Sequence, residues 1–260
     1  MQRVPEDNDA GATLKGTQTL MRALDILDQV LEGPIKSADL ARKLELTRST
    51  AHRLAQALKS RNYLTTTPDG YSLGPKLLQL GSMAQEQTDY VRIARPHLEA
   101  LSAETGFCVF LGKREGDWSR HLDRVTGRQR LRVSTAPGDR RLIAETGIGK
   151  ALLLDQPEET LRNLFVAARP GTTKAQRDAW LASMRENAER GIVLHDSDAG
   201  DFVRSVAAPV RNDKGEIVVA ISIAGAAHYL TDQVLEDLVA PVMATASNIG
   251  ATLGYREPSA

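Results

Sequence analysis

The chain has 260 residues, enough for two domains, and its 33 Lys/Arg are balanced by 33 Asp/Glu. Its one cysteine excludes an internal disulfide framework and any multi-cysteine zinc site. No apolar run approaches the ~20 residues of a membrane span, and the polar N-terminus lacks the apolar core of a signal peptide. The cytoplasm is therefore the expected compartment, with no membrane partner.

The charge is unevenly spread. Residues 15–76 hold ten Lys/Arg against six Asp/Glu, whereas the segments on either side are each slightly acidic. A modestly basic segment fits a DNA-contacting domain joined to one that need not touch DNA.

In chain order, residues 1–13 are polar and read as a loose tail. Thr17 or Thr19 caps a helix in which Leu20, Ala23, Leu24, Leu27 and Leu31 recur every three to four residues, and Gly33-Pro34 ends it. Ser37 to Leu44 is a second helix, with Ser37 expected at the cap and Asp39 in the first turn, where a carboxylate offsets the positive helix end. Thr47 caps a third. Its Ala51, Leu54, Ala55 and Leu58 turn one face to a core, leaving Arg48, Ser49, His52, Arg53 and Gln56 outside. Cations, hydroxyls and an amide without a carboxylate suit a helix facing duplex DNA, whose bases offer acceptors and whose phosphates are negative. Asn62 tolerates the left-handed conformation that ends helices. Tyr63 to Thr67, the turn Pro68-Asp69-Gly70 and Tyr71 to Leu73 then form a hairpin, so the segment reads as a winged helix-turn-helix. A small helical interaction domain is the bland alternative.

After Gly74-Pro75 the pattern is helical again through Leu77, Leu78, Leu80, Met83 and Ala84. A further helix with Leu98 and Leu101 ends at Gly106. The first of these reads as a connector and dimer seam, or else as a buried intradomain helix. From Phe107 the period becomes two: Phe107 to Lys113, Trp118 to Val125 and Arg130 to Ser134 are expected strands. Leu142 to Gly149 reads as a loop, and Lys150 to Leu154, Glu158 to Phe165 and Lys174 to Arg190 as helices. Ile192 to His195, Val203 to Arg211 and Glu216 to Ala224 return to strand, with Asn212 to Gly215 as a hairpin turn. Thr231 to Leu253 is a last helix, with Leu235, Leu238, Val239, Val242 and Ala246 on one face. Mixed blocks of this kind give an α+β domain, a sheet covered by helices.

Four clusters in this second part carry candidate chemistry. Gly147-Ile148-Gly149-Lys150 is not a nucleotide loop, since the template needs Gly where Ala144 stands and a hydroxyl where Ala151 stands. Amides near Gly147 and Ile148 suit a small carboxylate, and a plain strand-to-helix turn is the other reading. His195-Asp196-Ser197-Asp198 is weak as a metal site or dyad, because Asp and Ser commonly cap and turn. The run Arg120, Arg124, Arg128, Arg130, Arg132, Arg140, Arg141 reads as a solvated hairpin or subunit interface, with a second nucleic-acid patch as the alternative. Cys108, between Phe107 and Val109-Phe110, reads as a buried, inert thiol.

The chain resembles the IclR family of bacterial transcriptional regulators from about Thr17 to Leu253. The resemblance rests on Thr19-Leu20-x-Arg22-Ala23-Leu24-Asp25-Ile26-Leu27, Thr47 to Leu54, Tyr71-x-Leu73-Gly74, Gly149 to Leu153, Ala207-Ala208-Pro209-Val210 and Ala220 to Gly225, in that order. It implies a winged helix-turn-helix, a linker helix and a GAF-like domain that binds a small organic or aromatic acid. It also implies dimers, often paired into tetramers, on catabolic operons. By family position Asp196, Ser205 and Ser222 are implied as polar anchors in one cavity. The chain departs from the family at Glu45, where the turn between the DNA helices usually carries Gly or Asn. It departs again at Leu142 to Thr146, which replace a Pro-Leu-His-Ala-Thr-like segment, and at Ser205, where a Cys is common. The effector is then not the family's commonest.

The expected organisation is a tail over 1–13, a DNA-binding domain over 14–75, a linker helix over 76–90 and an effector domain over 91–256. Arg48, Ser49 and His52 are assigned to base edges, with Thr50 and Arg53 on phosphates beside Thr47. Gln18, Arg22 and the wing at Asp69 and Gly70 add backbone contacts. The expected partners are a double-stranded operator, a small carboxylate effector and further copies of the chain as a dimer or tetramer, with no cofactor and no metal. The competing readings are a GAF-like enzyme, whose reductase examples need several cysteines, and an interaction adaptor, which leaves the acid-free helix face unexplained.

Overall fold

A computed structural model describes residues 17–86, 88–131, 133–196 and 202–257; the tail expected over 1–13 lies outside them. Contacts divide the chain into two compact units, one up to Thr88 and one from Asp89. The architecture is α+β, as the mixed periodicities predict. Among the described residues no helix is long and apolar enough to cross a membrane.

The first unit runs α1 (Gln18–Val30), α2 (Ser37–Lys43), α3 (Arg48–Ser60), the hairpin β1 (Leu64–Thr67) and β2 (Gly70–Leu73), and α4 (Pro75–Glu86). Its core is Ile26, Val30, Leu40, Ala41, Ala51, Leu54, Ala55, Leu64 and Tyr71. Each fully buried aliphatic there contributes about 1.5–3 kcal/mol. Small Ala41, Ala51 and Ala55 let α2 and α3 approach closely. Thr47 caps α3, its hydroxyl accepting the Thr50 amide at 3.2 Å. Asn62 is left-handed at φ 63° and Glu45 at φ 53°, so the turn between α2 and α3 does carry a strained non-glycine residue, at a cost of about 1–2 kcal/mol. Ile35 exchanges two backbone hydrogen bonds with Tyr71, at 3.0 and 2.9 Å, and so lies beside β2 as a short third strand.

Two local expectations are corrected. The capping position of α2 is Lys36, which makes no side-chain cap, and Ser37 is the first helical residue. On α1 the core takes Ile26 and Val30 with Ala23 and Leu27, while Leu20, Leu24 and Leu31 are exposed. At 100° per residue the exposed leucines form a second stripe roughly a quarter-turn away. A leucine count alone does not say which stripe faces inward.

The second unit is a six-stranded antiparallel sheet in the order β5-β4-β3-β8-β7-β6. It runs α5 (Tyr90–Thr105), β3 (Cys108–Glu115), β4 (Trp118–Val125), β5 (Arg140–Leu142), a 3-10 turn (Ile143–Glu145), α6 (Gly147–Ala151), α7 (Glu158–Ala168), α8 (Lys174–Arg190), β6 (Val193–Asp196), β7 (Val203–Arg211), β8 (Ile217–Ala226) and α9 (Asp232–Thr252). The period of two sorts side chains to two cores. Val109, Leu111, Val206, Ala208, Val219, Ile221 and Ile223 pack with α5 and α9. Cys108, Phe110, Ala207 and Ala220 face the other way, toward α6, α7 and α8. Between β3 and β4 the register slips: Leu111 pairs with Asp123 but Gly112 with His121, leaving Leu122 as an extra residue. This bulge puts Asp123 on the α5 side, where Arg95 holds it at 3.0 Å, and Ser119 and His121 on the α6 side.

Arg130 to Ser134 is not a strand among its described residues; the sheet's edge there is β5, paired with Trp118 to Arg120. The segment expected as a loop from Leu142 to Gly149 is the 3-10 turn plus the start of α6. Cys108 is buried and its sulfur accepts the Gly127 amide at 3.3 Å, which fits the inert thiol.

Candidate functional site

On the first unit, Thr47, Arg48, Ser49, His52, Arg53 and Gln56 form one exposed face of α3, with Thr50 half-buried beside them. Thr47 Oγ1 donates to Thr50 Oγ1 at 2.8 Å and lies 3.1 Å from Ser49 Oγ, so the first turn is a cluster of hydroxyls. Tyr71 is buried in the core, and its hydroxyl emerges at the edge of this face. Gln56 Nε2 donates to it at 3.2 Å, and it lies 3.4 Å from His52 Nδ1. In the tautomer with its proton on Nε2, the imidazole accepts the Tyr71 hydroxyl proton at Nδ1 and keeps Nε2 as a donor. Gln18 and Arg22 are exposed on α1, one turn apart, and Asp69 is exposed at the hairpin tip. Gly70 is different. At φ 132° it lies against the Ile35 backbone, where a Cβ would come within 2.3 Å of the Ile35 oxygen, so its first role is to close the hairpin.

The second unit contains a cavity of about 350 Å³ on the α6 face of the sheet, a size ordinary for small-ligand sites. Gly147, Ile148, Ser205 and Ser222 all line it, so four of the five expected anchors converge. Ser205 and Ser222 come from neighbouring strands and both are buried. Thr146 caps α6 by accepting the Gly149 amide at 3.0 Å, which leaves the amides of Gly147 and Ile148 as the first-turn donors outside the cap.

Asp196 is the exception. Strand alternation turns His195 into the cavity and Asp196 outward, where it pairs with Arg204 at 3.2 Å. His195 Nδ1 accepts from the buried Lys150 ammonium at 3.2 Å. Among the described residues no group of three metal-ligating side chains occurs, and Ser197 and Asp198 lie outside them.

The expected anchors do not include the β4–β5 wall. His121, on β4, is 7 % exposed and sits edge-on to Phe110 with ring centres 5.6 Å apart. Burial pushes its pKa down to about 4; Asp139 opposes the shift and Arg141 reinforces it. The ring is therefore neutral at pH 7, and its Nδ1 is buried without a partner. Arg141, on β5, lines the same cavity, as do Thr135, Glu145 and Arg169, and Glu145 and Arg169 pair at 3.6 Å. The arginine run is thus split by geometry. Arg120 and Arg140 share Glu115, Arg124 bonds the Thr135 carbonyl, Arg128 bonds the Ala103 carbonyl, and Arg141 goes to the cavity. The sequence signal is the polar alternation Ser119-x-His121 in β4.

Two family models match the chain: the IclR helix-turn-helix domain over residues 19–68, and "Bacterial transcriptional regulator IclR C-terminal" over residues 83–251. The HTH-type transcriptional regulator XynR of Escherichia coli is 27% identical over 246 residues, 92% of this chain and 98% of that protein. The HTH-type transcriptional repressor AllR of Salmonella typhimurium is 27% identical over 255 residues, 95% and 93% of the two chains. The crystal structure of the Agobacterium tumefaciens repressor BlcR superposes with a TM-score of 0.71 at 25% identity, over 92% of this chain and 98% of that one.

Proposed function

The chain belongs to the IclR family of bacterial transcriptional regulators, and from that premise we propose that it is a cytoplasmic repressor of catabolic genes, controlled by a small organic or aromatic acid. It reads its operator with the exposed face of α3, residues 14–75 acting as the DNA-binding domain, 76–90 as the linker and 91–256 as the effector domain. The observation that carries this reading is the composition of that face: cations, hydroxyls, amide and imidazole, with no carboxylate. Relatives named as repressors, AllR and BlcR, support the sign of regulation.

Arg48, Ser49 and His52 read base edges. Thr50 and Arg53, beside Thr47, hold phosphates, and Gln18, Arg22 and the wing at Asp69 and Gly70 add contacts along the DNA backbone, the wing through its main chain. Arg53→Ala then weakens binding to operator and random DNA alike, while Arg48→Ala costs about 1–3 kcal/mol at particular base pairs and relaxes preference there. Gel shifts on a set of single-base operator variants, repeated across salt concentrations, check this. An affinity independent of ionic strength would sink it.

His52 reads with its Nε2–H, held in that tautomer by the Tyr71 hydroxyl. Tyr71→Phe keeps the buried ring and removes only the hydroxyl. Operator affinity is expected to fall about fivefold, the worth of one part-buried hydrogen bond, with little change in melting temperature. Unchanged discrimination among operator variants would show that the hydroxyl does not orient the reading face.

Dimer or tetramer formation is supported by the exposed apolar side chains Leu20, Met21, Leu24 and Leu31 on α1 and Leu78, Leu80 and Met83 on α4. The acid effector occupies the cavity of the second unit, one polar group meeting the Gly147 and Ile148 amides and the Ser205 and Ser222 hydroxyls. Effector binding shifts the spacing of the two recognition helices in the dimer and releases the operator.

A further inference from the structure

The cavity has a second polar wall that the amide-and-serine end does not use. Ser119, His121 and Arg141 share the α6 side of β4 and β5; Ser119 is spent on Thr146 Oγ1 and the Arg141 carbonyl, at 3.4 and 3.3 Å. The other two are not spent. His121 is more than nine-tenths buried, neutral, and leaves Nδ1 without a partner. Arg141 lines the cavity from an exposed position, its charge acts on His121, and it has no carboxylate partner among the described residues. The nearby Arg169 is already paired with Glu145, and of the two other charges felt at His121, Asp139 accepts the Ala136 amide while Arg141 is left without a carboxylate partner among the described residues.

We propose that the effector is a two-ended molecule, and that its second group, an anion such as a carboxylate, seats against Arg141 and His121. This rests on the cavity being the effector site and adds the class of ligand it takes. Adjacent strands lie about 4.8 Å apart, so β4 and β5 stand roughly 10 and 14 Å along the sheet from β8, which carries Ser222. The histidine and arginine side chains close part of that distance, and one aromatic ring or a short carbon chain fills the rest. A cavity of about 350 Å³, the volume of about a dozen waters, holds such a molecule. Phe110, Val133, Ile148 and Ala224 give its middle an apolar lining. A one- or two-carbon acid would fill one end and leave Arg141 and His121 unmatched.

The test uses matched pairs that differ only in the second carboxylate: benzoate against benzene-1,4-dicarboxylate, and hexanoate against hexanedioate. Each is titrated calorimetrically into the full-length protein. In at least one pair the diacid is expected to bind about tenfold more tightly, the gain from one charge-assisted hydrogen bond. Arg141→Gln, at an exposed position that no ion pair among the described residues holds, removes that advantage and leaves the monoacid affinity unchanged; His121→Gln removes part of it. Equal weakening of both members of a pair by Arg141→Gln, or no diacid advantage in either pair, overturns the proposal while the cavity stands. Ser205→Ala with Ser222→Ala separates the two ideas: it weakens monoacids and diacids alike if the cavity is the site. If it changes neither, or if no acid binds the wild type, the cavity reading falls and the second anchor with it.

Discussion

Gly149→Ala is expected to lose about 3 kcal/mol of stability in the second unit and to lower its melting temperature by roughly 6–12 °C. The cause is local and rigid. A Cβ at this position would stand 2.0 Å from the Ile143 carbonyl oxygen and 2.8 Å from its carbon, both backbone atoms of the 3-10 turn that packs under α6. It would also press within 2.8 Å of Thr146 Oγ1, the atom that caps α6 through the Gly149 amide. The Ile143 backbone has no rotamer to escape into, and Thr146 Oγ1 can turn away only by giving up the cap, so the turn and the helix must part. Overpacking of this kind costs about 1–3 kcal/mol, and a broken cap adds about 1.

Gly147→Ala supplies the contrast. There the new methyl meets the Ser205 hydroxyl at 2.2 Å and His195 Cβ at 3.1 Å, and the hydroxyl can rotate away. The fold is expected to survive while acid binding drops more than tenfold, because the methyl and the displaced hydroxyl occupy the polar end of the cavity. Both tryptophans, Trp118 and Trp180, belong to the second unit, so fluorescence melting reports that unit alone. A Gly149→Ala protein that melts with the wild type would show that the two glycines are a flexible hinge and not a packing requirement.

Acid should destabilise the wild type more than a His121→Gln variant, by on the order of 3 kcal/mol between pH 6.5 and pH 4. His121 titrates near 4 in the fold, pushed down first by burial and further by Arg141, against a partial pull from Asp139; unfolded, it titrates near its ordinary 6.5. Between those values the unfolded chain carries a proton that the folded chain does not. Stability therefore rises with pH across this window, and is lost as the pH falls from 6.5 to 4. Below about 4 both states are protonated and the extra slope ends. Urea unfolding followed by tryptophan fluorescence at half-unit pH steps measures the difference, and the carboxylates common to both proteins cancel from it. Parallel curves for wild type and variant would mean that the imidazole is already solvated in the native state.

Much of this was readable from the residues, and what was not has identifiable causes. Thr47 as a cap, the inward Ala51, Leu54 and Ala55, and the left-handed Asn62 follow from local rules, because a helix face and its ends are set by residues three or four apart. β7 and the Asn212 to Gly215 turn follow from alternation and turn chemistry. Ser37 differs from expectation by one residue at a helix boundary, the leucines of α1 by the rotation of the helix, and Asp196, implied in the cavity by family position, by the parity of its strand. In each case a shift of one residue reverses the outcome. Arg141 escaped notice because its run of arginines looks uniform in sequence; only the pairing of β5 with β4 decides which of them turns inward.

The unpaired Leu122 in β4 carries a last consequence. Parity on either side of it differs by one, so the cavity owes its imidazole to a residue count and not to a favourable side chain at Leu122 itself. Inserting one residue between Leu111 and Gly112, opposite Leu122, would restore unbroken pairing between β3 and β4. His121 and Asp123 would then fall on the same side of the sheet, and one of the two would lose its place: the ligand wall or the Arg95 tether. Single-codon insertions and deletions in this hairpin are thus a shorter evolutionary route to a new ligand preference than exchanging the lining residues one at a time.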